Sequence, residues 1–166
     1  MNAHELKRPY FGSRMKNHQL HKSPDMQIIG RVEKIDLPEL DIFGLDAKID
    51  TGAYTSSLHC HDITTEKINN RLYVFFYVLD PNHPEYDERQ YKAPVHKIKR
   101  VRSSNGQIEE RVIIKQRIHF FGSTYKIQLS LTNRSKMKYP MLIGRRFLTN
   151  KFIVDVSKKF LSNSTI

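Results

Sequence analysis

The sequence predicts an all-β domain, arranged as a closed or partly open β-barrel. Three observations lead to this fold class. Short segments of alternating or continuous apolar residues, rich in β-branched and aromatic side chains, recur along the chain. No segment has the apolar period of a long amphipathic helix. An Asn105-Gly106 pair, the strongest short signal for a hairpin, lies between two alternating arms.

The first half of the chain predicts strands separated by turn residues. Residues 27–37 form one candidate strand, and Gly44 indicates a bend between two short strands in residues 40–50. Residues 55–63 continue in an extended form. The nearly continuous apolar run at residues 71–79 predicts a buried strand, and three prolines in residues 80–94 predict a loop.

The second half begins with the long hairpin on either side of Asn105-Gly106, in residues 95–120. A further strand follows in residues 121–131, after a turn at Gly122. Residues 139–156 predict a strand, a tight glycine at Gly144, a short helical turn and a final strand.

Composition indicates a single basic domain. The 166 residues carry 28 Lys and Arg against 17 Asp and Glu, a formal charge of +11, which favours acidic partners. Residues 1–25 are predicted to form a flexible basic arm and residues 26–166 the folded domain. The single cysteine, Cys60, excludes an intrachain disulfide, and no apolar run is long enough to span a membrane. We therefore expect a cytoplasmic protein.

One short motif carries candidate chemistry. Asp50, Thr51, Gly52 and Ala53 follow an apolar strand, so that a carboxylate stands on a tight turn that glycine permits. The threonine hydroxyl can hold such a turn by a hydrogen bond. Taken alone, the four residues are also compatible with an ordinary surface turn.

A second segment changes this interpretation. Leu142, Ile143, Gly144 and Arg145 follow much later in the chain. An Asp-Thr-Gly-Ala motif followed by an apolar-apolar-Gly-Arg segment resembles the retropepsins, the single-domain aspartic peptidases of retroviral type. The resemblance implies a retropepsin-type barrel with one short helix after Gly144.

A closer resemblance rests on residues 47–63, 101–114 and 141–148. Together they resemble a bacterial family formerly labelled putative ATP-dependent zinc proteases and since grouped with retropepsin-like aspartic endopeptidases. The resemblance covers about residues 27–160 and implies no cofactor.

The resemblance assigns roles residue by residue. It makes Asp50 the catalytic carboxylate, Thr51 a loop-locking hydroxyl that reaches the other subunit, and Gly52 the tight-turn residue. It assigns the support of the active-site loop to Ala53 and to the second segment. That segment consists of Leu142, Ile143, Gly144 and Arg145. Tyr54 stands where family members carry arginine and viral enzymes an acidic residue, so the ion pair that braces the loop in viral enzymes is not expected here.

A homodimer follows from the same resemblance. Aspartic peptidases use two carboxylates that share a proton, and this chain has one Asp-Thr-Gly motif. The second Asp50 must therefore come from a twin subunit across a twofold axis. The hairpin tip is the candidate substrate-binding flap, or alternatively a plain surface hairpin; it comprises Arg102, Ser103, Ser104, Asn105 and Gly106.

Two alternatives to an aspartic peptidase remain open. His59 and His61 stand two residues apart in an extended segment, where both side chains face the same way. In the first alternative, a zinc-dependent peptidase, these two side chains bind one zinc ion. No His-Glu-x-x-His motif accompanies them. A non-catalytic β-barrel that binds nucleic acid or another polyanion would account for the positive charge.

The old family label also suggests partners. We expect no phosphate-binding loop in this chain, and the ATP in the label points to ATP-grasp ligases that attach glutamates to proteins. A functional link to such a ligase, and an acidic or glutamate-modified polypeptide as substrate, are therefore expectations for this basic chain.

Overall fold

In a computed structural model, ten strands and one short α-helix make up the part of the chain that the structure describes. That part comprises residues 26–83, 86–102, 108–133, 135 and 138–164. The elements in chain order are β1 (Gln27–Gly30), β2 (Val32–Leu37), β3 (Ile42–Asp50), β4 (Ser56–Ile68), β5 (Arg71–Val78), β6 (Gln90–Arg102), β7 (Ile108–Phe120), β8 (Ser123–Thr132), β9 (Met141–Gly144), α1 (Arg145–Leu148) and β10 (Phe152–Asp155). Short 3-10 turns lie at Pro38–Leu40 and Leu161–Ser164.

The strands close into a ring, which confirms the predicted barrel-like all-β fold. Eight strands pair in the order β2-β3-β9-β4-β5-β6-β7-β8, and two additional pairings, β2 with β7 and β4 with β8, join the ends. Strand β9 runs parallel to β3 and antiparallel to β4, so it lies between them. The short helix predicted after Gly144 is α1.

The long strands β4 and β6 change partners along their length. Strand β4 pairs with β8 and β9 through its first residues and with β5 from Cys60 onward. Strand β6 pairs with β5 up to Pro94 and with β7 from Val95. Because a closed sheet has no free edge, such shared strands avoid unpaired backbone groups.

The core fills the ring with the inward-facing residues of these strands. Fully buried side chains include Phe76 on β5, Ile114 and Ile118 on β7, and Ile143 on β9. In α1, Phe147 packs against Phe120 and Phe152, with ring centroids 6.1 and 5.6 Å apart. This aromatic contact fixes the helix against the sheet.

The predicted strand at residues 27–37 is wrong in one respect, because it is two strands. Strand β1 pairs in parallel with β10 in a separate sheet, whereas β2 joins the ring. Between β1 and β2 the chain passes against the backbone of Lys158 at Gly30, where an added Cβ would lie 2.6 Å from the Lys158 carbonyl oxygen. So close an approach of two backbone segments requires glycine there.

The bend predicted at Gly44 does not divide β3, which runs unbroken through it. Gly44 adopts φ +67° within a bulge, and its N–H donates to the Asp36 carboxylate over 2.8 Å. A bulge of this kind inserts one residue without ending the strand.

The predicted loop at residues 80–94 is too long. Gln90 to Pro94 belong to β6 and pair with Tyr73 to Tyr77 on β5. Pro94 is tolerated because it stands where β6 leaves β5 for β7.

Two sequence predictions fall outside the described residues. The basic arm at residues 1–25 does so entirely, and the hairpin tip does so between residues 103 and 107. The hairpin arms are confirmed, with Arg102 facing Ile108 in the register of β6 and β7. Among the described residues, no helix has the length and apolar character needed to cross a membrane.

Candidate active site

Asp50 is the last residue of β3 and begins a tight turn. Its Oδ1 accepts hydrogen bonds from the N–H groups of Gly52 and Ala53, both over 3.1 Å. The Ala53 N–H also approaches the Asp50 carbonyl oxygen at 3.3 Å. Alternation along β3 buries Leu45, Ala47 and Ile49 and leaves Asp50 half-buried at the strand end. We name residues 50–55 the Asp50 loop.

The apolar-Gly element lies directly beside this loop. In the parallel pairing of β3 and β9, Asp50 faces Gly144, and Leu142 and Ile143 are buried beneath. A Cβ on Gly144 would come within 2.8 Å of the Thr55 carbonyl carbon and 2.9 Å of the Tyr54 carbonyl oxygen. The close contact between two backbones therefore depends on glycine at position 144.

Backbone hydrogen bonds join the loop to the start of α1. The N–H of Arg145 donates to the Ala53 carbonyl over 2.9 Å, and the N–H of Arg146 donates to the Tyr54 carbonyl over 3.1 Å. First-turn N–H groups have no partner inside a helix. Here they hold the Asp50 loop. The buried Ser56 hydroxyl accepts from the Gly144 N–H over 3.0 Å and fixes the other side of the same junction.

The Arg145 side chain braces the loop through two carbonyl oxygens and an aromatic ring. Its Nη1 donates to the carbonyl oxygens of Thr51 and Gly52, over 3.2 and 2.9 Å. The guanidinium also lies over the Tyr54 ring, 5.8 Å from its centroid, in cation–π contact. Contacts to backbone carbonyls and to an aromatic ring thus hold the Arg145 side chain beside the loop.

The top of the loop faces outward. Thr51 and Gly52 are exposed, and Tyr54 is 55% exposed although it is a large aromatic residue. The half-buried Asp50 carboxylate therefore lies at the base of an exposed turn.

A cleft of about 220 Å³ opens beside the loop. Its walls come from the Asp50 loop, from the stem of the β6–β7 hairpin and from buried positions on β4, β8 and β9. The hairpin contributes Lys99 and Arg111, which face each other in the β6–β7 register. We call this the loop cleft. It is lined by Ala53, Tyr54, Thr55, Ser57, Lys99, Arg111, Ile113, Ser130 and Leu142.

Two features of the loop cleft are not predictable from the sequence, namely its pair of basic residues and the buried Ser130. Nothing in the sequence distinguishes Arg111, and Lys99 is only one charge in a basic stretch. Ser130 is 5% exposed and its hydroxyl has no hydrogen-bond partner among the described residues. The alternation of β7 and β8 predicts which side chains face inward, but it does not predict which of them meet the Asp50 loop.

The two histidines of the alternative metal site have separate carboxylate partners. His59 Nε2 lies 2.9 Å from Asp80 Oδ2, and His61 Nδ1 lies 3.1 Å from Asp62 Oδ2. The His61 ring stacks on Tyr77 at 5.2 Å between centroids. Cys60 between them is buried, and burial raises the pKa of its thiol. Within the described residues, no group of three or more His, Cys, Asp or Glu is placed to hold a metal ion.

A family comparison identifies residues 28–165 with the model of the RimB-like family, described as retropepsin-like aspartic endopeptidase RimB. Among solved structures, a Legionella pneumophila protein of unknown function is similar, with a TM-score of 0.65 and 27% sequence identity. The alignment covers 82% of this chain and 98% of that one.

Curated relatives are longer proteins. A Shewanella halifaxensis protein named probable alpha-L-glutamate ligase is 36% identical over 137 residues, which are 80% of this chain and 29% of that protein. A protein of the same name from Parasynechococcus marenigrum is 33% identical over 132 residues, 77% of this chain and 28% of its own length. The chain therefore spans less than a third of the curated relatives it matches.

Proposed function

Because the chain belongs to the RimB-like family of retropepsin-like aspartic endopeptidases, we propose that it hydrolyses peptide bonds as a homodimer with Asp50 as its catalytic carboxylate. The observation that carries the proposal is the Asp50 loop. Its carboxylate is held by two backbone N–H groups and backed by Gly144. The loop also presents its exposed top, Thr51 and Gly52, to the surroundings.

The chemistry requires a second carboxylate. Two aspartates that lie close together share one proton, because both cannot ionise cheaply at that distance. The ionised member removes a proton from a water molecule that attacks the scissile carbonyl, and the protonated member donates to the developing oxyanion. The chain has one Asp-Thr-Gly motif, so the partner carboxylate is the Asp50 of a second copy.

An acidic polypeptide is the proposed substrate. Lys99 and Arg111 line the loop cleft. Arg111 is ion-paired with Glu109 over 2.9 Å, whereas Lys99 forms no ion pair within the described residues and offers its charge to an acidic chain. A net charge of +11 favours encounter with anionic chains. Similar segments occur within proteins named probable alpha-L-glutamate ligase, which supports glutamate-bearing polypeptides and a functional link to an ATP-grasp ligase. In this proposal the β6–β7 hairpin, including Arg102 and the tip at residues 103–106, covers the bound peptide.

Cleavage of casein and of a glutamylated peptide tests the proposal. We expect wild-type protein to cleave, the Asp50→Asn variant to lose cleavage by at least about a thousandfold, and a chelator to have no effect. Substitution of His59 and His61 by Gln serves as the control for the metal alternative. Activity that depends on these histidines and on metal, and survives Asp50→Asn, would favour the zinc peptidase instead.

A further inference from the structure

A second and larger cavity lies apart from the loop cleft. It has a volume of about 530 Å³ and is bounded by β7, β8 and α1. It shares no lining residue with the loop cleft among the described residues. We call it the β7–β8 cavity. Its size falls within the range of small-molecule binding sites, roughly 300–1,000 Å³.

Positive charge dominates the lining of this cavity. Within the described residues its one acidic group is Glu39, whose carboxylate is already bound by the Arg117 backbone N–H and Nε, both over 2.9 Å. Four further cations line the cavity, and none of them forms an ion pair within the described part of the chain. They are Lys115, Lys126, Arg146 and Lys151.

Two of these four cations are held in place by neutral groups. Arg146 Nη1 donates to the Gln128 side-chain oxygen over 2.8 Å, and Lys151 Nζ donates to the Phe147 carbonyl over 2.9 Å. Neutral acceptors position the side chains but leave their charges uncompensated. The cavity therefore keeps a net positive charge for a ligand to meet.

The charges of β7 and β8 lie on one face of this hairpin. In the β7–β8 register Lys115 faces Gln128 and Arg117 faces Lys126, and Gln128 in turn holds Arg146. Alternation along the strands places these side chains on the outward side of the sheet, where a ligand can reach them.

We propose that the β7–β8 cavity binds a small polyvalent anion. The four cations bind the anionic oxygens. Carboxylates and phosphates both supply such oxygens.

Calorimetric titration of the full chain tests this, with triglutamate and inorganic pyrophosphate as separate probes. We expect the double variant Lys115→Gln/Lys126→Gln to bind both probes about tenfold more weakly than wild type. The matched control Lys67→Gln/Lys159→Gln removes the same charge from exposed positions that line neither the β7–β8 cavity nor the loop cleft. It should leave both affinities within about twofold of wild type.

Three results would overturn the proposal. One is the absence of binding by either probe at millimolar concentration. A second is an equal loss in both double variants, which would mean non-specific attraction to a basic surface. The third is wild-type affinity for both probes in Lys115→Gln/Lys126→Gln, which would place the anion outside the β7–β8 cavity.

Discussion

At the scale of single residues, Gly144 matters because the Asp50 loop packs against the place where a side chain would begin. The nearest atoms belong to the backbone of Ala53, Tyr54 and Thr55, and they lie 2.8 to 3.0 Å from the position that a Cβ would take. Backbone cannot rotate away as a flexible side chain can. A methyl group at position 144 must therefore displace the loop or β9.

Gly144→Ala should consequently lower the free energy of unfolding by about 1–3 kcal/mol. Urea denaturation measures this, and amide exchange of Arg145 and Arg146 reports whether their bonds to the loop have opened. Gly122→Asn is the control, since Gly122 has φ +68° with open space around it and asparagine tolerates that conformation. Equal stability of Gly144→Ala and wild type would contradict the packing described.

Tyr91 provides a prediction about pH. Burial, followed by the negative charge of Asp87 and the hydrogen bond to its carboxylate, raises the pKa of Tyr91 from 10.0 to about 12. The folded state therefore retains the phenol proton where the unfolded state loses it. The resulting stability is fully present below pH 10 and is lost as the pH rises toward 12.

Ring NMR titration of the tyrosines measures this shift. The pKa of Tyr91 should be raised to about 12, and Asp87→Asn should move it downward by removing a nearby negative charge. Ionisation of Tyr91 at about pH 10, the value for a free tyrosine side chain, would be incompatible with its burial.

At the scale of elements, a buried carboxylate ties the beginning of the described part of the chain to its end. Glu33 on β2 is fully buried, and its two oxygens accept from the Gly30 N–H over 2.6 Å and the Ser162 N–H over 2.8 Å. One side chain thus holds β1 and the final 3-10 turn against β2.

Glu33→Gln should lower the free energy of unfolding by about 1–3 kcal/mol, because the new amide NH₂ faces a backbone N–H that then has no acceptor. Guanidinium denaturation measures the loss, and amide exchange at Ser162 should accelerate. Glu66→Gln is the matched control on an exposed position of β4. A Glu33 variant as stable as the control would show that the carboxylate does not hold these two segments together.

Elements are predictable from the sequence where their signal is local. The β6–β7 arms follow from Asn105-Gly106 and alternation, because both partners lie next to each other in the chain. The division of residues 27–37 into β1 and β2 is not predictable, since it depends on β10, more than a hundred residues away. The same holds for Gln90 to Pro94, whose strand form depends on pairing with β5.

At the scale of the whole molecule, the Asp50 loop and its Gly144 support can be found from their motifs. The loop cleft cannot, because Lys99, Arg111 and Ser130 come together only after the ring has closed. The β7–β8 cavity likewise depends on how α1 lies against two distant strands. Motif spacing locates a candidate catalytic residue, whereas the residues that surround it are set by tertiary packing.

In the proposed mechanism, Asp50 acts together with its own copy in a twin subunit. Wild-type and Asp50→Asn chains, unfolded together and refolded at varied ratios, exchange subunits, and peptide cleavage is then measured at constant total protein. If both carboxylates are required, activity follows the square of the wild-type fraction, so an equal mixture retains about a quarter of the activity. Activity that falls in direct proportion, to about half in that mixture, would mean that each chain works alone and would contradict the account.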